Sequence, residues 1–407
     1  MNPHSHSSSA AVFTAPQRRK VRAILAALVV PLALATAIAM VVLWPRGETP
    51  IGSIPVESEG SQKVRGVIAS IGETDELWQT AVTMRIAGTD DGTVEVPVIV
   101  PYDVIQNGLQ VGDAISATFI PGQIDSGSPY IFSDFVRTVP LALLIGMYAL
   151  SVLIVARFKG LMAMVGMGIS LGVLGGFILP AMMVGESPLI VMLVGSAAMM
   201  FASIYVAHGI SIRTTTAVAG TFGGLLITLA LASWAVDSMR LTGTTSDDAL
   251  NLMSRLPGLS MSSLLLCGMV LAGLGALNDV TITQVSTVWE LHVANPSLRR
   301  RRLFAQGMAV GRDHIASTVY TLAFAYVGTA LPMLMAASLM QRSFVDLLQV
   351  NSIAEEIART LTASIGLILA IPMTTAIAAL LAPVAPVGSY RNGESENDNQ
   401  VREETHG

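Results

Sequence analysis

The strongest constraint on this chain is a series of apolar runs, each long enough to cross a lipid bilayer. A helix rises about 1.5 Å per residue, so about 20 apolar residues cover a hydrocarbon core of about 30 Å. From Val21 to Trp44 only Arg22 and Thr36 interrupt such a run. Further runs lie at residues 139–156, 160–183, 188–208, 214–236, 261–283, 315–338 and 361–382, which makes eight with the first. Hydrophobic residues are 52% of the 407 and charged ones 13%, about half the charge density usual in soluble domains. The expected class is an α-helical polytopic membrane protein of about eight spans, with the lipid bilayer as its first partner. A net charge of -5 offers no basic face, so a nucleic-acid partner is not expected.

One insert departs from this pattern. Within residues 45–137, Val82 to Ile86, Val94 to Val98 and Ile115 to Phe119 carry apolar residues at every second position, the period of half-buried strands. With strands near Lys63 to Ile71 and Tyr130 to Val136, and Gly-Asp and Pro-Gly turns, five strands fit a small all-β barrel of the OB kind. Its strands hold few basic or aromatic residues, so the nucleic-acid binding of many such barrels is not carried over. The expected order is a disordered tail at 1–20, a membrane anchor at 21–44, the OB-like domain at 45–137, a membrane bundle at 138–383 and a second disordered tail at 384–407. A cleaved signal peptide competes for the first run through small Ala33, Ala35 and Ala37, but the run is long for one. Arg18 to Lys20, Arg157 with Lys159, Arg213, and Arg299 to Arg302 with Arg312 all fall on one side of the spans. The positive-inside rule makes that side cytoplasmic, with both termini, and the barrel extracytoplasmic.

The polar residues that bear on function cluster between Gly268 and His314. Gly268, Ala272, Gly275, Asp279, Thr283 and Glu290 share one narrow helical face, small first and acidic afterwards. An Asn278-Asp279 pair in an apolar segment is costly in lipid and marks a polar site inside a bundle. Burial there raises a carboxyl pKa, so Asp279 can carry a proton or bind a cation, with Asn278, Thr281, Thr283 and Gln284 as hydrogen-bonding neighbours. The competing role is a hydrogen-bond node that pins two helices. His314, Thr318, Thr321, Ala325 and Gly328 line up on the following span, with Arg312 and Asp313 at its cytoplasmic mouth, where Arg312 can instead hold a lipid phosphate. His208 is expected at the interface rather than in a site.

Other features read as structure. Gly168, Gly172 and Gly176, and Gly220 with Gly224, recur at intervals of four and are expected to let helices approach closely. Thr245 to Asp248 and Ser352 to Glu355 have the spacing of capping boxes, the second leaving Glu355, Glu356 and Arg359 on a solvated helix end. Pro332 and Pro372 are expected to kink their helices. The single Cys267 excludes an internal disulfide, and no metal or other cofactor is expected. The chain has no Walker loop, His-Glu-x-x-His or Gly-x-Ser-x-Gly, so an enzyme is not expected.

Ser352 to Thr375, Gly275-Ala-Leu-Asn-Asp-Val280 and Gly311-Arg-Asp-His314 resemble the YibE/F family of bacterial multi-pass membrane proteins over roughly residues 130–380. Many members have a Met-Asp pair where this chain has Asn278-Asp279. The resemblance implies a bacterial cell-membrane bundle and a permease without a defined substrate. The Asn-Asp pair followed by Glu290 is also similar to a pattern in SecF-type members of the RND superfamily, but no neighbouring Arg accompanies Glu290 in sequence. The expected function is therefore a transporter, possible coupling to an ion gradient resting on Asp279. The alternative is a non-transporting envelope scaffold acting through the barrel, on a protein partner or in a homo-oligomer.

Overall fold

The computed structural model describes residues 15–53, 60–74, 79–87, 92–127 and 129–382. The tail expected at 384–407 and residues 1–14 lie outside them, whereas residues 15–20, expected in the first tail, already belong to a helix. The chain divides into two compact units, Pro50–Arg157 and Met1–Thr49 with Phe158–Gly407.

The smaller unit is a closed barrel of five strands: β1 (Gln62–Thr74), β2 (Gln79–Ala87), β3 (Thr93–Pro101), β4 (Ala114–Phe119) and β5 (Tyr130–Phe135). The order around the barrel is β1-β2-β3-β5-β4, with β3 and β5 parallel and β4 closing on β1. Alternation did its expected work: Val82 and Met84, Val96, Val98 and Val100, and Ile115 and Ala117 point inward with Ile68 and Leu109. Gly66 is pressed against its neighbours, since a Cβ there would lie 2.5 Å from the Arg85 carbonyl oxygen. A short helix, α2 (Tyr102–Gln106), connects β3 to β4.

The larger unit is helical. Its elements are α1 (Ala15–Val42), the second part of α3 (Thr138–Val173), α4 (Leu179–Met183), α5 (Pro188–His208), α6 (Ile212–Ser238), α7 (Asp247–Arg255), α8 (Met261–Ala294), α9 (Arg300–Thr329), α10 (Leu331–Ser338), α11 (Phe344–Leu348) and α12 (Asn351–Leu381). Arg157, at φ 49° and ψ -135°, breaks α3 where one unit gives way to the other. A π-helical turn, Leu174–Ile178, leads from α3 into α4. Pro188 at the start of α5 needs no amide donor there. Ser211 caps α6 by accepting from the Thr214 amide at 3.1 Å, and Thr214 returns the bond at 2.8 Å.

Glycines bring α6, α8 and α12 together as a central trio. A Cβ on Gly220 would strike Thr374, one on Gly224 would strike Leu277 and Ala370, and one on Gly366 would strike Thr228. The expected packing role of Gly220 and Gly224 is met. That of Gly168, Gly172 and Gly176 is not, since nothing lies within 4 Å of their Cβ positions; Gly166 makes the close contact instead, against the Ala202–Ser203 backbone.

Among the described residues six helices are long and apolar enough to cross a membrane, or seven when α9 and α10, bent by 67°, count as one span. The expected eight differ because residues 139–156 and 160–183 form one stretch, Thr138–Met183, broken only at Arg157. Pro332 opens α10 just after the bend, whereas Pro372 lies inside a helix that continues to Leu381. Exposed Leu, Ile, Val and Phe side chains cover α1 and α3, as expected of surfaces facing lipid rather than water.

Candidate functional site

Helix α8 carries two polar sites, on different sides. One is dry. Gln284 is 2% exposed and its Nε2 donates to the Gly307 carbonyl at 2.8 Å and the Thr375 hydroxyl at 2.7 Å, joining α8 to α9 and α12. The Thr375 hydroxyl in turn donates a hydrogen bond to the Ile371 carbonyl at 2.7 Å. Gly307 and Gly311 allow this approach: a Cβ on Gly311 would stand 3.1 Å from the Gln284 amide nitrogen. Nearby, Thr281 and Thr221 share a hydrogen bond between α8 and α6. Gln284, predicted beside Asp279, is therefore a helix-joining residue on another side of α8.

The second site is an open groove of about 380 Å³. Its walls come from α3 (Ala163, Met167, Ser170), α5 (Met199, Ser203, His208) and α8 (Gly275, Asn278, Asp279). The Asn278 Nδ2 donates to the Ser203 hydroxyl at 2.9 Å, and Ser203 donates to the Met200 carbonyl at 3.1 Å. Because the Ser203 proton is committed, Ser203 must accept from Asn278, and this fixes the amide orientation. The Asn278 Oδ1 is left buried with no hydrogen-bond partner. A buried acceptor without a donor costs about 1–3 kcal/mol, so it marks a place where a water or ligand is expected.

Asp279 lies on the open face of α8 rather than in a closed core, as do Gly275, Thr283 and Glu290. The face expected from sequence is real, but the protein's own helices leave it uncovered. Glu290 reaches Arg213 of α6 at 3.7 Å, and Arg213 Nε donates to Ser286 at 3.1 Å, so the arginine missing from the local sequence comes from another helix. Thr283 contributes no side chain to the groove.

Helix α9 supplies no residue to the groove, so His314 is not brought to it with Asp279. The packed stripe of α9 is Leu303, Gly307, Gly311 and Leu322; His314 and Thr318 are half-buried, while Thr321, Ala325 and Gly328 are exposed, against the expected lining. Thr318 donates to the His314 carbonyl at 2.9 Å. Arg312 and Asp313 are exposed and form no ion pair with any described residue. His208, expected at the interface, is exposed at the end of α5 and also lines the groove. Its position at the end of an apolar run hid this, because nothing in sequence sets α5 beside α8.

Both predicted capping boxes shift. Ser246, not Thr245, caps α7, accepting from the Ala249 amide at 3.2 Å. Helix α12 begins after Val350 without a side-chain cap, and Glu355 is buried at 5% exposure rather than solvated. Its carboxylate accepts from the Gly243 amide at 2.9 Å, the Thr245 hydroxyl at 2.8 Å and the Asn351 amide at 3.2 Å. Cys267 is buried, as expected of a small packing residue. Among the described residues no group of three His, Cys, Asp or Glu is placed to hold a metal ion.

The bundle sequence that forms both sites matches the family of YibE/F-like proteins over residues 144–384. The chain belongs to the YibE/F family. No curated protein and no solved structure matches it. The family match takes in Asn278, Asp279 and every lining residue of the groove, and ends short of the five barrel strands.

Proposed function

We propose that this YibE/F-family chain is an integral membrane transporter whose moving ion passes through the groove of Asn278 and Asp279. One observation carries the reading: a carboxylate and a buried, unpartnered amide oxygen share a cavity in the flank of the helical bundle. Polar groups are expensive in a bilayer, and a fold keeps them unsatisfied where something else completes them. Splitting Thr138–Met183 at Arg157 and counting the bent pair once gives eight crossings. Both termini then face the cytoplasm of a bacterial cell membrane, with the barrel outside. The parallel β3–β5 pair and the helix between β3 and β4 support an OB-like barrel.

The second reading is an envelope scaffold that binds a protein partner or forms a homo-oligomer through the barrel. It is favoured by a complete domain that a simple permease does not need. The chain performs no enzymatic reaction and binds no nucleic acid in either reading. Proton flux into proteoliposomes holding a pH-sensitive dye tests the first: Asp279→Asn, shown to keep its elution profile, is expected to lower flux at least tenfold. Equal flux in the two proteins sinks the transport reading. Binding of a partner lost on replacing the barrel, in protein that never conducted, supports the scaffold.

A further inference from the structure

Asp279 has a titratable companion that its sequence neighbourhood does not reveal. His208 ends α5 and lines the same groove. Ser203 touches Asn278, beside Asp279, and His208 lies five residues further along α5. Both titratable side chains line the one cavity, where waters can stand between them. A cavity of about 380 Å³ has room for them, at about 30 Å³ per water.

What sets the lining of this groove apart is that it holds two titratable side chains, the Asp279 carboxyl and the His208 imidazole. Ser170 donates to the Gly166 carbonyl at 2.9 Å and Ser203 to that of Met200, so both hydroxyls are tied to their own helices. Met167 and Met199 add only thioethers, poor ligands for hard cations. A proton needs only the two titratable side chains and the water between them. The Asn278 Oδ1, which must accept, can orient that water.

We propose that His208 is the second proton site of the groove, exchanging protons between its basic end and Asp279. This rests on the transport reading. In one direction the Asp279 carboxyl gives its proton to the bridging water, which passes one to the imidazole; the carboxylate is left charged and the imidazolium releases the proton outside the groove. The reverse sequence carries it back, so charge and protons balance. The cations acting on the imidazole are Arg213 on α6 and Lys159 on α3, and the carboxyl lining the same groove is Asp279 on α8. An imidazole is the side chain suited to exchange between about pH 5 and 8.

The test compares native protein, Asp279→Asn, His208→Ala and His208→Gln in the same dye-loaded proteoliposomes, each across about pH 5.5 to 7.5. His208→Ala is expected to lower flux about tenfold and to flatten its pH dependence. Free imidazole added at the basic end is expected to restore most of that loss, and tetramethylammonium at equal concentration none of it. His208→Gln, which keeps the size and hydrogen bonding, is expected to stay slow. Native flux and an unchanged pH profile in His208→Ala, alongside a dead Asp279→Asn, would overturn the relay and leave the transport reading standing. Slow flux that imidazole does not restore, or that Gln restores, assigns His208 a structural role and also overturns it. Native flux in Asp279→Asn removes the transport reading and the relay with it.

Discussion

The Gln284 side and the Asn278–Asp279 side of α8 are built from the same materials and differ in whether their polar groups are answered. Gln284 meets two acceptors fixed by α9 and α12, and glycines at 307 and 311 admit the helix that supplies one of them. Asn278 meets one hydroxyl and keeps an idle oxygen, and Asp279 beside it faces a cavity. A satisfied polar group in a bundle fixes geometry, while an unsatisfied one beside open volume is available to a moving species. The distinction is invisible in composition, since both sides read as isolated polar residues in an apolar helix.

The largest expected effect breaks the comparison on function. Asp279→Asn is expected to abolish most flux while leaving thermal stability within about 0.5 kcal/mol of native, because an exposed near-isosteric change removes no packing. A large drop in melting temperature would place Asp279 on the structural side with Gln284. Next in size is Glu355, a charged version of the answered side. Glu355→Ala leaves the Gly243 amide and the Thr245 hydroxyl without their acceptor and is expected to cost about 2–4 kcal/mol, read as melting temperature in detergent. Gly243 cannot be repacked to compensate: it has φ +70°, and a Cβ there would lie 2.3 Å from the Met261 carbonyl oxygen. An unchanged melting temperature would mean that water already serves those donors.

Gln284→Leu is smaller. It removes two hydrogen bonds, but Thr375 keeps its bond to Ile371 and the shape is roughly conserved, so about 1–2 kcal/mol is expected. Its flux, per folded molecule, is expected to match native. A Gln284→Leu protein that is stable and fails to conduct would erase the contrast between the two sides of α8.

Much of this architecture was legible in the sequence. Alternation in Val94 to Val98 and Ile115 to Phe119 named the barrel strands, because a closed barrel has one inside face and the period of two fills it. That Gly275, Asp279 and Thr283 share one face was legible from helical spacing, but that the face is open was not, since a site inside the bundle was expected there. Pairings between distant helices were not. Which helix would meet Asn278, that Arg213 would reach Glu290, and that Glu355 would turn across to Gly243 rather than back to its own N-terminus all depend on tertiary packing. Local rules also had rivals: Thr245 matched a cap by spacing, yet a buried carboxylate held its hydroxyl and Ser246 took the cap. The glycines show the limit most clearly, since Gly220 and Gly168 sit in equivalent patterns and only one has a neighbour.

The smallest expected effect lies in the barrel, where polar partners are present but water competes for them. Asp134 accepts from Arg137 at 2.6 Å and from the Phe135 amide at 2.7 Å, and its pKa is held below the ordinary 3.8, first by the Arg137 hydrogen bond and then by the amide. A carboxyl with a lowered folded pKa contributes stability above its unfolded value and loses it as pH falls through the folded one. Asp134→Asn is therefore expected to speed amide exchange in β4 and β5 of the full chain at pH 6, with the difference fading as the pH falls through the lowered pKa of Asp134. Both partners are more than half exposed, so added salt should shrink the difference at pH 6 as well. A difference that survives both acid and salt would mean that Asp134 acts through its backbone turn rather than its charge. The answered groups of the bundle would then differ from those of the barrel in burial alone, and the contrast across α8 would rest on the cavity beside Asp279.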